Sequence, residues 1–545
     1  MRFAIRTLRQ SPGFTAVAVL SLALGIGANT AIFSLVDRVL LRDLPVFDPH
    51  RLVQLSNPVE GSGMSSKDND QPVYSNATYR DLRAQTTAIF SGVAARGRWP
   101  VTVTWRGAAE RAFVEVASGN YFDVLGVRPV LGRIFTDAED QAPGAHAVAV
   151  LTWSCYQKRF AGDPRVVGST LEMNGRVLTI IGVLGHEFTG LLAGSPPDLL
   201  IPIAMKRVAT PTWDGLTQRD IRWLNVFARL APGVSVSQAE ARVQPVWRLA
   251  LEQDLAALGR PRSPQYRDRY LNQRLQLIPA PQGINQAATK WKTSLIALMC
   301  MVGLVLLIAC ANVANLMIAR TAARKREFAV RASLGAGMWT IVRQLLIESL
   351  ALAAVAGMLA ILVAMWTSDG LLHALDAADN RYYSFRIDMR ILLFATGVSL
   401  LTTVLFGLAP AMEARRVNLA DALKAHSAGV AGGTARLRRC MVASQMALAA
   451  VLLIAATLFG RSFYKLITVD PGFRAEQVTS FAVDPTLLGY DTPRALAFYE
   501  ELIRRLSGIP GVAAVAAANP GPFTNSGRGA NVSIYGYRAR EDEDM

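Results

Sequence analysis

Five long stretches of the chain hold no Asp, Glu, Lys or Arg: residues 14–36, 293–319, 349–368, 391–412 and 440–460, which run for 23, 27, 20, 22 and 21 positions. A helix needs about 20 consecutive apolar residues to cross the hydrocarbon layer of a bilayer. Each stretch meets that length and is rich in Leu, Val, Ala and Ile, which suits a helix better than the alternating strand of a barrel. The pattern predicts five transmembrane helices. The first is an uncleaved anchor. It exceeds the 7–15 residues of a signal-peptide core, and Asp37, Arg38 and Arg42 follow it where a small-residue cleavage site would stand.

Between the first two stretches the pattern changes. Residues 37–292 show short β-rich runs at 52–55, 101–105, 112–116 and 148–151, and two more at 171–173 and 177–183 that flank Asn174-Gly175, a strong signal for a tight hairpin turn. Helical periodicity covers 78–85 and 153–160. Ser237 with Glu240 suggests a capping box opening a helix to about residue 258, which Pro245 should kink or interrupt. The segment is expected to be an α+β domain. Residues 461–545 repeat the theme: a strand at 478–483, an amphipathic helix at 493–506 and a strand at 512–517 would make one βαβ unit. A low-resolution repeat links the two regions. Arg2, Arg6 and Arg9, a span and Asp48-Pro49 precede the first strand; Arg436, Arg438, Arg439, a span and Asp470-Pro471 precede the strand at 478. The expectation is one complete copy followed by the start of a second, partial outer domain, the chain being either a fragment or one whose second half is supplied elsewhere.

Charge assigns the sides. The net charge is +16, with charged residues at only 18% of the chain against about 25% for soluble proteins. Most of the excess sits in short segments beside the spans: three Arg and no acid in 1–13, and six Lys or Arg against two acids in both 319–348 and 413–439. The loop 369–390 balances three Arg against four Asp. Basic charge at span ends is an orientation signal rather than a phosphate-binding groove, so nucleic acid is excluded as a partner and the lipid bilayer takes its place. The N-terminal basic segment 1–13, the hairpin 320–348 and the linker 413–439 are expected in the cytoplasm; 37–292, 369–390 and 461–545 are expected outside.

The inner hairpin carries the densest pattern. Arg320, Arg324, Glu327 and Arg331 fall on one face of a helix prolonging the second span, Gly335 and Gly337 can end it, and Met338, Ile341, Val342, Leu345 and Leu346 form an apolar stripe on a second helix. No phosphate loop occurs; His186-Glu187 begins a zinc-protease string that Gly190 breaks, and no nucleophile elbow is present. The sequence therefore offers no catalytic, cofactor-binding or metal-binding residues. The four cysteines, Cys155, Cys300, Cys310 and Cys440, form no CxxC pair. Gly25 and Gly27 could permit close helix contact in the first span.

The string from Arg324 through Glu327-Phe328-Ala329-Val330-Arg331 to Gly335-Ala336, followed by Gln344 and Glu348, resembles the cytoplasmic loop of MacB/FtsX-type ABC transporter permeases. So do Arg9-Gln10-Ser11-Pro12-Gly13-Phe14, the run from Leu24 to Phe33, and Gly407-Leu408-Ala409-Pro410 with Arg415 and 420–423. The opening signature and second copy are most similar to the duplicated permeases described from acidobacteria. The resemblance implies a multi-pass inner-membrane permease for efflux or mechanotransmission, without its own ATPase site. It would couple a separate ABC ATPase to movement of outer domains. Arg324, Glu327, Arg331, Gly335 and Ala336 would be the ATPase-docking element, and the protein would work as a homodimer or as a pseudo-dimer through a second half, with a periplasmic adaptor as a further partner. The alternative reading is a membrane-anchored sensor or binding protein with no ATPase.

Overall fold

The computed structural model describes residues 11–56, 64–67, 72–192, 196–211, 213–257, 264–323, 338–374, 388–414, 432–469, 478–518, 527–529 and 535–537. In chain order, α1 (Pro12–Val36) passes into a π-helical turn at Asp37–Leu41. Then come β1 (Leu52–Ser56), β2 (Met64–Lys67), α2 (Asn76–Gln85), β3 (Phe90–Trp105), β4 (Ala108–Ala117), α3 (Tyr121–Leu125), β5 (Pro129–Gly132), β6 (Val148–Leu151), α4 (Trp153–Phe160), β7 (Thr170–Met173), β8 (Arg176–Leu184) and β9 (Leu199–Pro202). After α5 (Lys206–Ala209) follow β10 (Ile221–Arg222), β11 (Asn225–Leu230), α6 (Val236–Ala257), α7 (Pro264–Leu271) and β12 (Gln276–Pro279). Four long helices follow: α8 (Gln286–Ala323), α9 (Met338–Ala374), α10 (Met389–Ala414) and α11 (Gly432–Ile467). Last come α12 (Thr492–Ser507) and β13 (Gly527–Gly529). The chain divides into two compact units, Met1–Leu41 with Ala287–Thr479, and Arg42–Gln286 with Ser480–Met545.

The second unit is built on a mixed sheet in the order β12-β1-β11-β3-β4-β9-β6-β8-β5, with β7 alongside β3 and β8. Both faces are covered, so central strands are apolar at consecutive positions rather than at alternate ones. In β11, Val226, Ala228 and Leu230 enter one core and Phe227 the other; in β9, Leu199 and Ile201 face one side and Leu200 the opposite one. Helices α2 and α6 cover the larger core with Tyr79, Leu82, Ala239, Val243, Trp247 and Leu251, while α3 supplies Tyr121, Phe122 and Leu125 to the smaller. The hairpin expected at Asn174-Gly175 forms, with positive φ of 48° and 79° at the two turn residues. The long helix α6 starts two residues before its expected position. Its capping box is Ser235 with Gln238, which exchange N–H and side-chain bonds at 3.3 and 3.1 Å. The Glu240 carboxylate instead accepts from the Leu277 N–H at 3.3 Å. The helix also continues through Pro245, because Trp247, Ala250 and Leu251 beyond it are buried in the core.

The expected βαβ unit near the end of the chain is not present as such. The helix forms as α12, capped by Asp491 accepting from the Arg494 N–H at 3.1 Å, but 478–483 and 512–517 adopt no strand. A helix satisfies its backbone internally whereas a strand needs a neighbour, and Val478 and Phe481 stay exposed. The short β13 instead pairs antiparallel with β2 in a three-stranded sheet with β10.

In the other unit, four helices are long and apolar enough among the described residues to cross a membrane: Pro12–Leu41, Trp291–Arg320, Leu346–Thr367 and Val442–Lys465. The fourth expected span lies in α10, whose described apolar stretch, Met389–Leu405, is shorter. Helices α1, α8 and α9 share a core of Ala18, Leu22, Ile26, Cys310, Val313, Ala314, Leu352, Ala356 and Ala360. Small residues bring these helices close. A Cβ on Gly25 would meet Leu306 at 3.0 Å, and one on Gly27 would meet Val363 at 2.9 Å. The Asn29 amide donates to the Gly25 and Val302 carbonyls, both at 2.8 Å, tying α1 to α8. Phe33 stacks on Phe394 at 3.9 Å, and one turn further along α1, Asp37 pairs with Arg390 at 3.5 Å.

Candidate functional site

Arg324, Glu327, Arg331, Gly335 and Ala336, the candidate docking residues, lie outside the described residues. The structure does describe the two helices on either side of them. Helix α8 runs to Ala323 and α9 begins at Met338, so the candidate segment joins two membrane helices with 14 residues between them. The end of α8 is fastened. Arg320 donates from Nη2 to the Ser11 hydroxyl at 3.1 Å, and its guanidinium lies 4.9 Å from the Phe14 ring centre. On α9, Gln344 donates to the Glu348 carboxylate at 3.4 Å, and Glu348 and Ser349 are buried. The Arg320 contacts tie the end of α8 to the start of α1, and Glu348 and Ser349 lie buried on α9.

The outer domain holds two buried polar clusters and one partly buried one that sequence patterns did not indicate. Lys206 is fully buried, with its ammonium 4.1, 3.6 and 5.0 Å from the ring centres of Trp99, Trp213 and Trp223. Its ammonium also donates to the Thr210 hydroxyl. Burial pushes its pKa well below the usual lysine range, against an upward pull from Asp214. The aromatic faces offset part of the cost of burying this cation. Arg96 and Glu115, on adjacent strands, pair at 3.3 Å with both side chains fully buried, and the Tyr121 hydroxyl donates to the same carboxylate. Burial, then the Glu115 charge, push the Tyr121 hydroxyl upward. Arg219 bridges Asp81 at 2.5 Å and Asp254 at 3.0 Å. Burial raises Asp254 while the Arg219 hydrogen bond opposes that rise.

Each cluster joins residues far apart in sequence. Only the fold shows them, and local spacing gave no signal. A cavity of about 10 Å³ enclosed by Tyr74, Thr78, Arg222, Trp247, Asp254 and Tyr270 has room for about one water. The Arg96–Glu115 pair links two adjacent strands, and Arg219 links helices α2 and α6. His186 and Glu187 are exposed, as expected of a loop end, and no group of three metal-ligating side chains occurs among the described residues.

Apolar helices long enough to cross a membrane, joined in sequence to a two-faced α+β domain, define a membrane protein with a large domain outside its spans. Comparison with known families specifies it. Residues 15–246 match the MacB-like periplasmic core domain, and residues 299–419 match the FtsX-like permease C-terminal domain. The pyoverdine export ATP-binding/permease protein PvdT of Pseudomonas syringae pv. tomato is 27% identical over 295 residues, covering 54% of this chain and 40% of PvdT. The uncharacterized ABC transporter permease YknZ of Bacillus subtilis is 25% identical over 317 residues, covering 57% of this chain and 70% of YknZ. The macrolide export protein MacB 2 of Aeromonas hydrophila is 24% identical, over 59% of this chain and 45% of that protein. Among solved structures, the extracellular domain of YknZ aligns with 42% of this chain and 99% of its own length, at 13% identity and a TM-score of 0.28. The periplasmic region of MacB from Actinobacillus actinomycetemcomitans gives 45%, 92%, 13% and 0.29. The chain spans less than half the length of PvdT and of MacB 2. The two matched domains and these relatives support a MacB/FtsX-type ABC transporter permease.

Proposed function

We propose that this chain is the permease subunit of an ABC exporter or mechanotransmission system in the cytoplasmic membrane, N-terminus inside. It couples a separate ATPase to movement of its outer domain. The 324–336 hairpin is the docking element, and the unit functions as a dimer or, with a second half, as a pseudo-dimer. A periplasmic adaptor is a further partner in this reading. The observation that carries the proposal is the restraint on the hairpin's flanks. With Arg320 tied to Ser11 and Glu348 buried in α9, a push on the hairpin reaches the packed helices instead of being lost in a slack loop.

The charge pattern Arg324, Glu327, Arg331 supplies recognition, since charges at a rim set partner choice and encounter. Glu327→Arg reverses one charge without altering a span. Membrane insertion should persist, while co-purification of the cognate ATPase should fall about fivefold or more, the scale of ~1 kcal/mol for an exposed pair. The purified chain alone should hydrolyse no ATP. Wild-type recruitment by a Glu327→Arg, Arg331→Glu variant would move the docking surface elsewhere.

A further inference from the structure

Helix α8 has two faces with different chemistry. Leu306, Cys310, Val313, Ala314 and Met317 pack into the core shared with α1 and α9. Asn312 and Asn315, three residues apart and so on one side of the helix, are absent from that core and meet α11 instead. The Gln445 side chain contacts both: its Nε2–H donates to Asn312 Oδ1 at 3.0 Å, and its Oε1 accepts from Asn315 Nδ2 at 3.3 Å. Gln445 is the only Asn or Gln in the uncharged run 440–460, and Asn312 and Asn315 are the only two in 293–319. Elsewhere along this span α11 shows an exposed apolar surface, including Met446, Val451, Leu453, Ile454, Leu458 and Phe459, and none of its described residues is buried.

We propose that Gln445 with Asn312 and Asn315 is an amide clasp that docks α11 on the outside of the finished α1–α8–α9 bundle and fixes its register. The clasp marks the interface between the two copies of the repeat. Lipid tails are as apolar as the leucines and valines of α11, so apolar contact gives little preference for one register over another inside a bilayer. An amide held at both ends does give one. A helix shift of a single residue turns the side chain by about 100° and breaks both hydrogen bonds together. In hydrocarbon, water cannot replace them. The description of α11 as the first span of a second copy rests on the pseudo-dimer reading above; the clasp itself rests on the contacts alone.

The test uses the full chain with a protease site inserted within residues 415–431. After extraction into mild detergent and cleavage, the fraction of the C-terminal piece that stays with the N-terminal piece is measured. The unsubstituted amides should retain it. Gln445→Leu makes the span more apolar and leaves insertion intact, yet should lower retention roughly three- to fifteenfold, the range measured for interhelical hydrogen bonds in membranes. Asn312→Leu with Asn315→Leu should lower it similarly, and adding Gln445→Leu to that pair should cause no further loss. Equal retention by Gln445→Leu, separation of the unsubstituted pieces, or additive losses would each overturn the clasp. The permease reading fails separately, through ATPase recruitment that ignores Glu327→Arg while retention stays amide-dependent.

Discussion

Glu139 and Asp140 are neighbours in one turn, and the fold moves their carboxyls in opposite directions. Burial favours the protonated form of Glu139, but the Thr136 N–H, the Thr136 hydroxyl and Arg133 outweigh it and bring the pKa to about 2. Burial dominates at Asp140 and raises it to about 6, although the Ala204 and Gly119 N–H groups donate to its two oxygens at 2.7 and 3.0 Å; Arg80 opposes the rise and Asp137 adds to it. The signs follow by linkage. Glu139 contributes stability that is present above its ordinary value of 4.5 and lost as pH falls towards 2. Asp140 contributes stability that is full below its ordinary 3.8 and lost as pH rises through about 6. Urea unfolding of the outer domain, followed by tryptophan fluorescence at stepped pH, should show a fall in stability of roughly 2–3 kcal/mol between about pH 4 and 6 that Asp140→Asn removes. An unchanged slope in that variant would assign the effect to another group. The partners of Glu139, Thr136 and Arg133, are local in sequence, yet the sequence reading did not pick them out. The partners of Asp140 stand 21 positions before it and 64 after it, and only the fold brings them together.

At the scale of elements, Gly25 and Gly27 were legible as close-contact positions because glycine in a membrane helix lets backbones approach. The structure shows that they serve different neighbours, Gly25 facing α8 and Gly27 facing α9. Gly27→Leu should therefore wedge α1 from α9 and cost about 1–3 kcal/mol of bundle stability. Gly303→Leu, at a position with open space around its Cβ, should cost little. Graded SDS unfolding of the two variants measures the difference; equal losses would refute the contact. Helices and hairpins with local signals, such as 153–160 and the turn at Asn174-Gly175, match their expected positions. The failures were strands at 478–483 and 512–517, where local propensity was right for a strand but no ladder partner occurs among the described residues. The Ser237–Glu240 pattern failed for another reason: Glu240 is drawn to the Leu277 backbone across the domain, leaving capping to Ser235 and Gln238.

For the whole molecule, charge asymmetry assigns an expected side to each segment between the spans, and that topology can be checked directly. A phosphatase reporter active only outside the cytoplasm should be active when fused after Met545 and silent after Ala425; the reverse pattern would invert the orientation. The sheet order was not legible, since it depends on pairings between segments about 175 to 225 residues apart. One of those pairings has a mechanical meaning. Strand β1, near the domain's beginning, lies antiparallel beside β12, near its end, with Val53 opposite Pro279 and Gln54 opposite Ile278. The incoming and outgoing chain therefore meet the sheet at the same end of one strand pair. Tension applied through both leads at once pulls on a single corner.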